Sequence, residues 1–471
     1  MMFSAREKAM YFEQFYLGCL AHASYMLGSE GEAVVVDPQR DVEIYVEAAK
    51  KHNLQIRYIF ETHLHADFVS GHKELAARTG ATIYMGKAAG ATFPHVDVTD
   101  GFELSVGKLR IKGIETPGHT PESICLVVTD EEKSQQPWAV LTGDTLFIGD
   151  VGRPDLSKTH TPQQLAGLLY DALHNKLLKL PDDVLVCPAH GAGSLCGRNM
   201  RSERSSTIGT ERLTNYALQI KSRDEFIRQM TTNLPARPDY FLEDAAINRD
   251  GATPLNELPA LKPISAPELK TVLERGAVAL DVRPGDEFAA AHVPGSLNIA
   301  LSGQFASWAG AVLGLSSRPA LIADTPEQLN EARLRLARVG IEDLAGFLDG
   351  GTRGWEKAGF ALQQLPQITV EDLNSRLHKS AVQVLDVRRE GEYKAGHISE
   401  AEWYPLDRFK AALPELGSNA TVAVHCKSGY RSMIACSLLE RAGHNVINVI
   451  GGFDAWEKAQ LPTTTEVAVG A

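Results

Sequence analysis

The apolar positions of this chain come in two rhythms. From residue 11 to 37 short apolar runs alternate with turns, and Ala33-Val34-Val35-Val36 followed by Asp37-Pro38 predicts a buried strand meeting a turn. Asp41 to His52 has apolar residues at helical spacing, and Leu54-Gln55-Ile56-Arg57-Tyr58-Ile59-Phe60 then reads as a second buried strand. Lys73-Glu74-Leu75-Ala76-Ala77-Arg78 predicts a helix. Between that strand and that helix lies Glu61-Thr62-His63-Leu64-His65-Ala66-Asp67-Phe68-Val69-Ser70-Gly71-His72. A strand-to-helix loop is where a rigid scaffold presents functional side chains. Imidazole and carboxylate groups packed this densely are metal-ligand types, and none is stable when buried without a partner.

Three later segments repeat the arrangement of an apolar run, a candidate ligand and a turn. His119 lies in Glu115-Thr116-Pro117-Gly118-His119-Thr120, Asp144 in Leu141-Thr142-Gly143-Asp144-Thr145, and His190 in Val186-Cys187-Pro188-Ala189-His190-Gly191. In this order the set resembles the metallo-β-lactamase superfamily, over residues 11–255. The resemblance implies an αββα sandwich with a metal site at one sheet edge. Hydrolases of this fold, such as glyoxalase II, read His-x-His-x-Asp-His, and the last His helps to bind a second ion. Here that position is Phe68, whose ring cannot ligate. A single ion is therefore expected. His63, His119 and Asp144 would offer it a 2-His-1-carboxylate face with open positions, which suits Fe(II) and O₂ chemistry. His65, Asp67 and His190 would orient that face. A zinc hydrolase is compatible with the same ligand types.

The mononuclear pattern resembles the persulfide dioxygenases, which oxidise the outer sulfur of a thiol persulfide to sulfite. It implies one Fe(II) per chain, O₂, and a low-molecular-weight thiol persulfide (glutathione, coenzyme A or similar). It also implies that Arg153, in Gly152-Arg153-Pro154-Asp155, contacts the thiol carrier. Cys196, in His190-Gly191-Ala192-Gly193-Ser194-Leu195-Cys196-Gly197, would handle sulfur. The plainer readings are a solvated loop arginine and a buried structural cysteine.

Residues 203 to 234 are helical in pattern and close this first domain, and Pro235, Pro238, Pro254, Pro259 and Pro263 crowd a stretch that reads as a packed linker. The rest of the chain is a duplication. Leu280-Asp281-Val282-Arg283 recurs as Leu385-Asp386-Val387-Arg388, and Gly350-Gly351-Thr352-Arg353-Gly354-Trp355-Glu356-Lys357 as Gly451-Gly452-Phe453-Asp454-Ala455-Trp456-Glu457-Lys458. A repeat of about a hundred residues means two domains rather than a solenoid. Alternating strands and helices imply parallel sheets. These signatures resemble rhodanese domains. In the second copy Thr421-Val422-Ala423-Val424-His425 is a strand feeding Cys426-Lys427-Ser428-Gly429-Tyr430-Arg431 and then a helix. Such a loop surrounds an anionic sulfur with backbone N–H groups and the positive end of a helix dipole, to which Lys427 and Arg431 add charge. The spacing is one residue short of a Cys-x₅-Arg phosphatase loop. In the first copy Asp324 stands in place of the cysteine, followed by Thr325-Pro326-Glu327, so that copy is expected to be inert in sulfur transfer, with Asp324 capping the helix after it.

The chain is thus expected to be an α/β multidomain protein. Residues 11–255 form a metallo-β-lactamase sandwich, 262–362 an inactive rhodanese-like domain and 366–463 a catalytic rhodanese domain, within the two to four domains that 471 residues allow. Composition changes little: 44% hydrophobic and 23% charged residues are ordinary for a globular protein. A net charge of −12 without a basic cluster argues against nucleic acid. There is no 18-residue apolar run to cross a membrane, and Met1 to Met10 lacks the apolar core of a signal peptide. Six cysteines without paired spacing fit a cytoplasmic protein with reduced thiols. The expected activity is oxidation of a persulfide to sulfite at one iron, with Cys426 passing a second sulfane sulfur to sulfite to give thiosulfate. A glyoxalase II-like thioester hydrolase and a non-enzymatic sulfur carrier or redox sensor are the alternatives. The oligomeric state stays open, a homo-oligomer included.

Overall fold

The computed structural model describes residues 10–234, 236–379, 382–417 and 420–465. Pro235 and nearly all of the Met1–Met10 stretch lie outside them. The chain divides into two compact units, one running to Leu258 and taking in Ala337–Gly340, the other made of Pro259–Leu336 and Ile341 onward.

The first unit holds two six-stranded sheets. One runs in chain order through β1 (Tyr11–Leu17), β2 (His22–Ser29), β3 (Glu32–Val36), β4 (Gln55–Glu61), β5 (Thr82–Gly86) and β6 (Val96–Val98). The other is built from β7 (Glu103–Val106), β8 (Leu109–Glu115), β9 (Ile124–Asp130), β10 (Ala139–Gly143), β11 (Leu185–Pro188) and β12 (Ser206–Thr207), in the order β12-β11-β10-β9-β8-β7. The pleat decides the layers. Val34 and Val36 of β3 pack with Ile111, Leu126 and Leu141 between the sheets, while Ala33 and Val35 turn outward against Val42, Tyr45 and Leu75. Those outer residues belong to or flank helices α1 (Glu43–Lys51) and α2 (His72–Thr79). The second sheet buries Val127, Val140 and Val186 under Ala166, Leu169 and Leu173 of α3 (Pro162–Asn175), which a Thr161–Gln164 capping box starts. The result is the expected αββα sandwich. One expectation fails in detail. The Pro-rich stretch read as a linker contains a helix, Phe241–Asp250, that buries Phe241, Asp244 and Asn248. Because two of its three buried residues are polar, it shows no apolar stripe.

The second unit repeats one topology. Strands β13 (Pro263–Ile264), β14 (Ala279–Asp281), β15 (Leu297–Asn298), β16 (Ala320–Ile322) and β17 (Gly346–Leu348) lie in the order β13-β17-β16-β14-β15. Strands β18 (Gln367–Ile368), β19 (Gln383–Asp386), β20 (Ala401–Trp403), β21 (Thr421–His425) and β22 (Asn445–Val449) take the same order, β18-β22-β21-β19-β20, and every pairing in both sheets is parallel. The central strand of each copy runs into a helix, α4 (Pro326–Ala337) after β16 and α5 (Tyr430–Arg441) after β21. Among the described residues no helix is long and apolar enough to cross a membrane.

Candidate metal centre and sulfur-transfer loop

Three strand ends and one loop deliver the candidate ligands. His63 follows β4, Asp144 follows β10, His190 follows β11, and His119 sits in the loop after β8. The structure brings His63, His119 and Asp144 together: their ligand atoms lie within 4.8 Å of one another and all three residues are buried. Hydrogen bonds set the tautomers. Thr62 donates its hydroxyl to Asp37 (2.9 Å), so its oxygen accepts from Nδ1 of His63 at 3.0 Å. Nδ1 of His119 donates to the carbonyl of Arg153 at 2.9 Å. Both histidines therefore keep a free lone pair on Nε2, and these atoms face Oδ2 of Asp144 at 3.7 and 3.4 Å. Among the described residues, Nε2 of His119 is buried with no hydrogen-bond partner. Burial and the neighbouring His65 push the His63 pKa well down, and burial pushes that of His119 down. Burial alone would raise the Asp144 pKa, but the imidazoles of His190 and His63 hold it well below the ordinary carboxylate range. Two neutral imidazoles converging on an ionised carboxylate are in the protonation states that a metal ion requires.

The remaining residues of the motif surround this face. His65 turns its Nε2 to Asp37 (3.2 Å) and Glu61 (3.4 Å), outside the ligand group. Burial opposes its charge, but Asp37 outweighs this and raises the pKa. His190 places Nδ1 2.7 Å from Asp144 and Nε2 3.0 Å from Asp67. Phe68 is buried, its ring 4.4 Å from that of His65 and 4.1 Å from that of His22. Arg153 is not directed outward: its guanidinium pairs with Asp155 (2.6 and 2.8 Å) and donates to the carbonyl of Leu195 at 3.2 Å. Its backbone N–H donates to the carbonyl of Cys196 at 3.0 Å, so Arg153 ties the His119 loop to the Cys196 loop. Cys196 is buried, and burial, then Asp67 and Asp144, push its thiol pKa well up. Gly152 is obligatory here, since a Cβ would come within 2.8 Å of Nδ1 of His119.

Sequence reasoning missed three supports. Asn248 donates to the carbonyls of His65 (2.7 Å) and Phe68 (2.8 Å) and accepts from the N–H of Ser70 (2.7 Å), clamping the histidine loop from 180 residues away. Asp37, in the left-handed region at φ 52°, receives both the N–H and the hydroxyl of Thr62. Glu122 receives the N–H of Leu64 at 3.0 Å. Only Asp37 left a trace in sequence, as an acid closing a run of four buried apolar residues.

In the second unit Cys426 follows β21 and is buried; the N–H of Gly429 donates to its Sγ at 3.1 Å, and Sγ donates to Oγ of Ser432 at 3.6 Å. Gly429, at φ 107°, lets the loop turn into α5. Phe453 and Asp454 donate their N–H groups to the carbonyls of Cys426 (2.7 Å) and Lys427 (2.9 Å), bracing the loop from behind. Lys427 and Ser428 are exposed. Arg431 does not lend a free charge, because Glu392 holds it at 2.6 and 2.7 Å. Tyr430 turns its hydroxyl to the carbonyl of Ala300 in the first copy, at 2.9 Å. Asp324 is exposed and does not cap α4; Thr325 does, accepting from Gln328 N at 3.2 Å. All six cysteines are free thiols.

Fold and site define a metal-binding enzyme of the αββα sandwich class joined to sulfurtransferase-type domains. The family model for the metallo-β-lactamase superfamily matches residues 17–190, and that for the rhodanese-like domain matches 265–358 and 369–459. The chain belongs to the persulfide dioxygenase family. It is 31% identical to the mitochondrial persulfide dioxygenase ETHE1 of Bos taurus over 222 residues, 45% of this chain and 77% of that protein. Hydroxyacylglutathione hydrolase of Francisella tularensis subsp. novicida is 31% identical over 172 residues, 36% of this chain and 63% of that protein. Among solved structures, the metallo-beta-lactamase from Staphylococcus aureus subsp. aureus COL superposes with a TM-score of 0.65 at 30% identity, covering 72% of this chain and 99% of that one.

Proposed function

We propose that residues 11–255 oxidise a low-molecular-weight thiol persulfide with O₂ to sulfite, and that residues 366–463 transfer a sulfane sulfur through Cys426 to give thiosulfate, with 262–362 inert in transfer. The observation that carries this reading is the face of His63, His119 and Asp144, with Phe68 where a hydrolase has another imidazole. One Fe(II) held there would supply O₂ activation and an open position for the persulfide sulfur. The protein's part is positional. Thr62 and the carbonyl of Arg153 keep both Nε2 lone pairs inward, and His190 orients the Asp144 carboxylate. Burial of the whole set excludes water from the reacting sulfur. A contact of Arg153 with the thiol carrier would compete with its pair with Asp155. At the second site, the N–H of Gly429 faces the sulfur that would carry the persulfide.

The thioester hydrolase reading draws on the similarity to a hydroxyacylglutathione hydrolase, and one experiment separates the two. Protein purified without oxygen from iron-replete cells should contain about one iron per chain, on the ligand count, and should take up O₂ with glutathione persulfide. Cleavage of a glutathione thioester with no persulfide-dependent O₂ uptake would overturn the proposal.

A further inference from the structure

The second half of the loop that carries His63 is held by residues far away in sequence. Asn248 takes the carbonyl of Phe68 and the N–H of Ser70, and the carbonyl of Pro38 accepts from the N–H of Gly71 at 3.1 Å. The remaining N–H, that of Val69, donates at 2.7 Å to the carbonyl of Arg338. Val69 is fully buried, and a buried N–H needs such a partner. Arg338 lies just past the end of α4, in the short stretch Ala337–Gly340 that packs as part of the first unit although the chain on either side of it belongs to the second.

The side chain of Arg338 fixes where that carbonyl stands. Its Nε and one terminal nitrogen reach Oδ1 of Asp41 at 3.0 and 2.9 Å, and the other terminal nitrogen donates to Sγ of Cys19 at 3.8 Å. A cation at the end of a helix is ordinary. One that is only 8% exposed and paired with a carboxylate 297 residues away is not. Asp41 ends the stretch against which Gly71 is pressed, where a Cβ on Gly71 would run into the carbonyl of Gln39. Cys19 belongs to the turn between β1 and β2, and in that turn the carbonyl of Ala21 accepts from the N–H of Gly191, next to His190, at 2.9 Å. Arg338 is therefore bonded to backbone segments that lead to both His63 and His190. The duplication shows that the contact is particular to this copy. Arg338-Val339-Gly340 recurs as Arg441-Ala442-Gly443, but Arg441 donates to the carbonyl of Gly295 instead. We propose that Arg338 is a positioning residue of the metal site, which clamps the histidine loop with its carbonyl while its guanidinium is anchored on Asp41. Residues 262–362, inert in transfer, thereby supply a working part of the metal unit. This rests on the His63–His119–Asp144 face and not on the reaction proposed for it.

The test titrates full-length, metal-free protein with cobalt(II) without oxygen and follows the visible absorption of the bound ion, with amide hydrogen exchange over residues 61–72 as a second readout. Neither depends on the oxidation reading being right. Arg338→Ala should weaken cobalt binding by at least about 10-fold, the lower end of what losing an outer partner of a metal ligand costs, and should speed exchange in that stretch. Arg338→Lys, which keeps a cation for Asp41, should recover most of both. Thiocyanate formation at Cys426 should be unchanged in the two variants. Unchanged cobalt affinity in Arg338→Ala, or no recovery in Arg338→Lys, would overturn the proposal. So would a parallel loss of sulfurtransfer, which would mark the residue as a support of folding in general. If Arg338→Ala does not fold, Asp41→Asn breaks the same pair from the other side: weakened cobalt binding with sulfurtransfer kept supports the proposal, and unchanged binding overturns it.

Discussion

In the second rhodanese-like copy, Lys427, Ser428 and Gly429 separate Cys426 from α5; in the first, Thr325 alone separates Asp324 from α4. The longer loop has room to curl around a sulfur atom, and the N–H of Gly429 points at it. The shorter one has spent its donors. The side-chain oxygen of Gln328 accepts from the N–H groups of Asp324 (2.9 Å) and Thr325 (3.2 Å), which closes the helix end on itself. What lies behind the loops is alike in both copies: Gly351 and Gly452 each sit at left-handed φ, 57° and 55°, under the carbonyl of Ala323 or Cys426. The first copy therefore has a carboxylate where the second has a thiol and a shorter loop ahead of its helix, over the same supporting architecture. It also supports its neighbour. Along one side of α5, Tyr430 donates to Ala300, Ser437 accepts from the N–H of Asn298 at 3.1 Å, and Glu440 meets His292 at 2.9 Å.

The sharpest way to break this contrast is to give the first copy its sulfur back. Asp324→Cys in a Cys426→Ser background should form no thiocyanate from thiosulfate and cyanide above background, because Gln328 already occupies the donors. A rate near wild type would show that only the thiol was missing. A matched pair of substitutions comes next. Gly452→Ala and Gly351→Ala each force a Cβ against a backbone carbonyl in the left-handed region and should each cost about 1–3 kcal/mol of stability, measured by denaturant unfolding. Only Gly452→Ala should also lower sulfurtransfer per folded molecule. Equal activity losses would mean that the first copy takes part in transfer. The smallest effect belongs to Tyr430→Phe, which removes one hydrogen bond of about 1 kcal/mol between the copies. Sulfurtransfer should fall a few-fold, with O₂ uptake unchanged.

The same contrast explains what a sequence discloses in advance. The missing cysteine, the duplicated Leu-Asp-Val-Arg segments and the strand ends that carry His63, His119, Asp144 and His190 are local patterns, and local patterns survive in sequence. Contacts made across the fold do not. Nothing near Asn248 indicates that it clamps the histidine loop, and nothing near Tyr430 indicates that its hydroxyl serves the neighbouring copy. Arg153 and Arg431 read as charges facing substrate because a sequence shows the cation and not the carboxylate folded against it. Asp155 and Glu392 are those carboxylates. Asp324 reads as a helix cap on the same limited view, one residue away from Thr325, which does the capping.

The central claim is that oxidation and transfer run at separate sites on one chain, and product analysis tests it most directly. Iron-loaded wild type, Cys426→Ser and His119→Ala are supplied with glutathione persulfide while O₂, sulfite and thiosulfate are followed together. The account predicts that Cys426→Ser consumes O₂ at a rate close to wild type but releases sulfite in place of thiosulfate. His119→Ala should consume none, yet still form thiocyanate from thiosulfate and cyanide. Loss of O₂ consumption in Cys426→Ser, or thiosulfate still formed from persulfide by that variant, would contradict it.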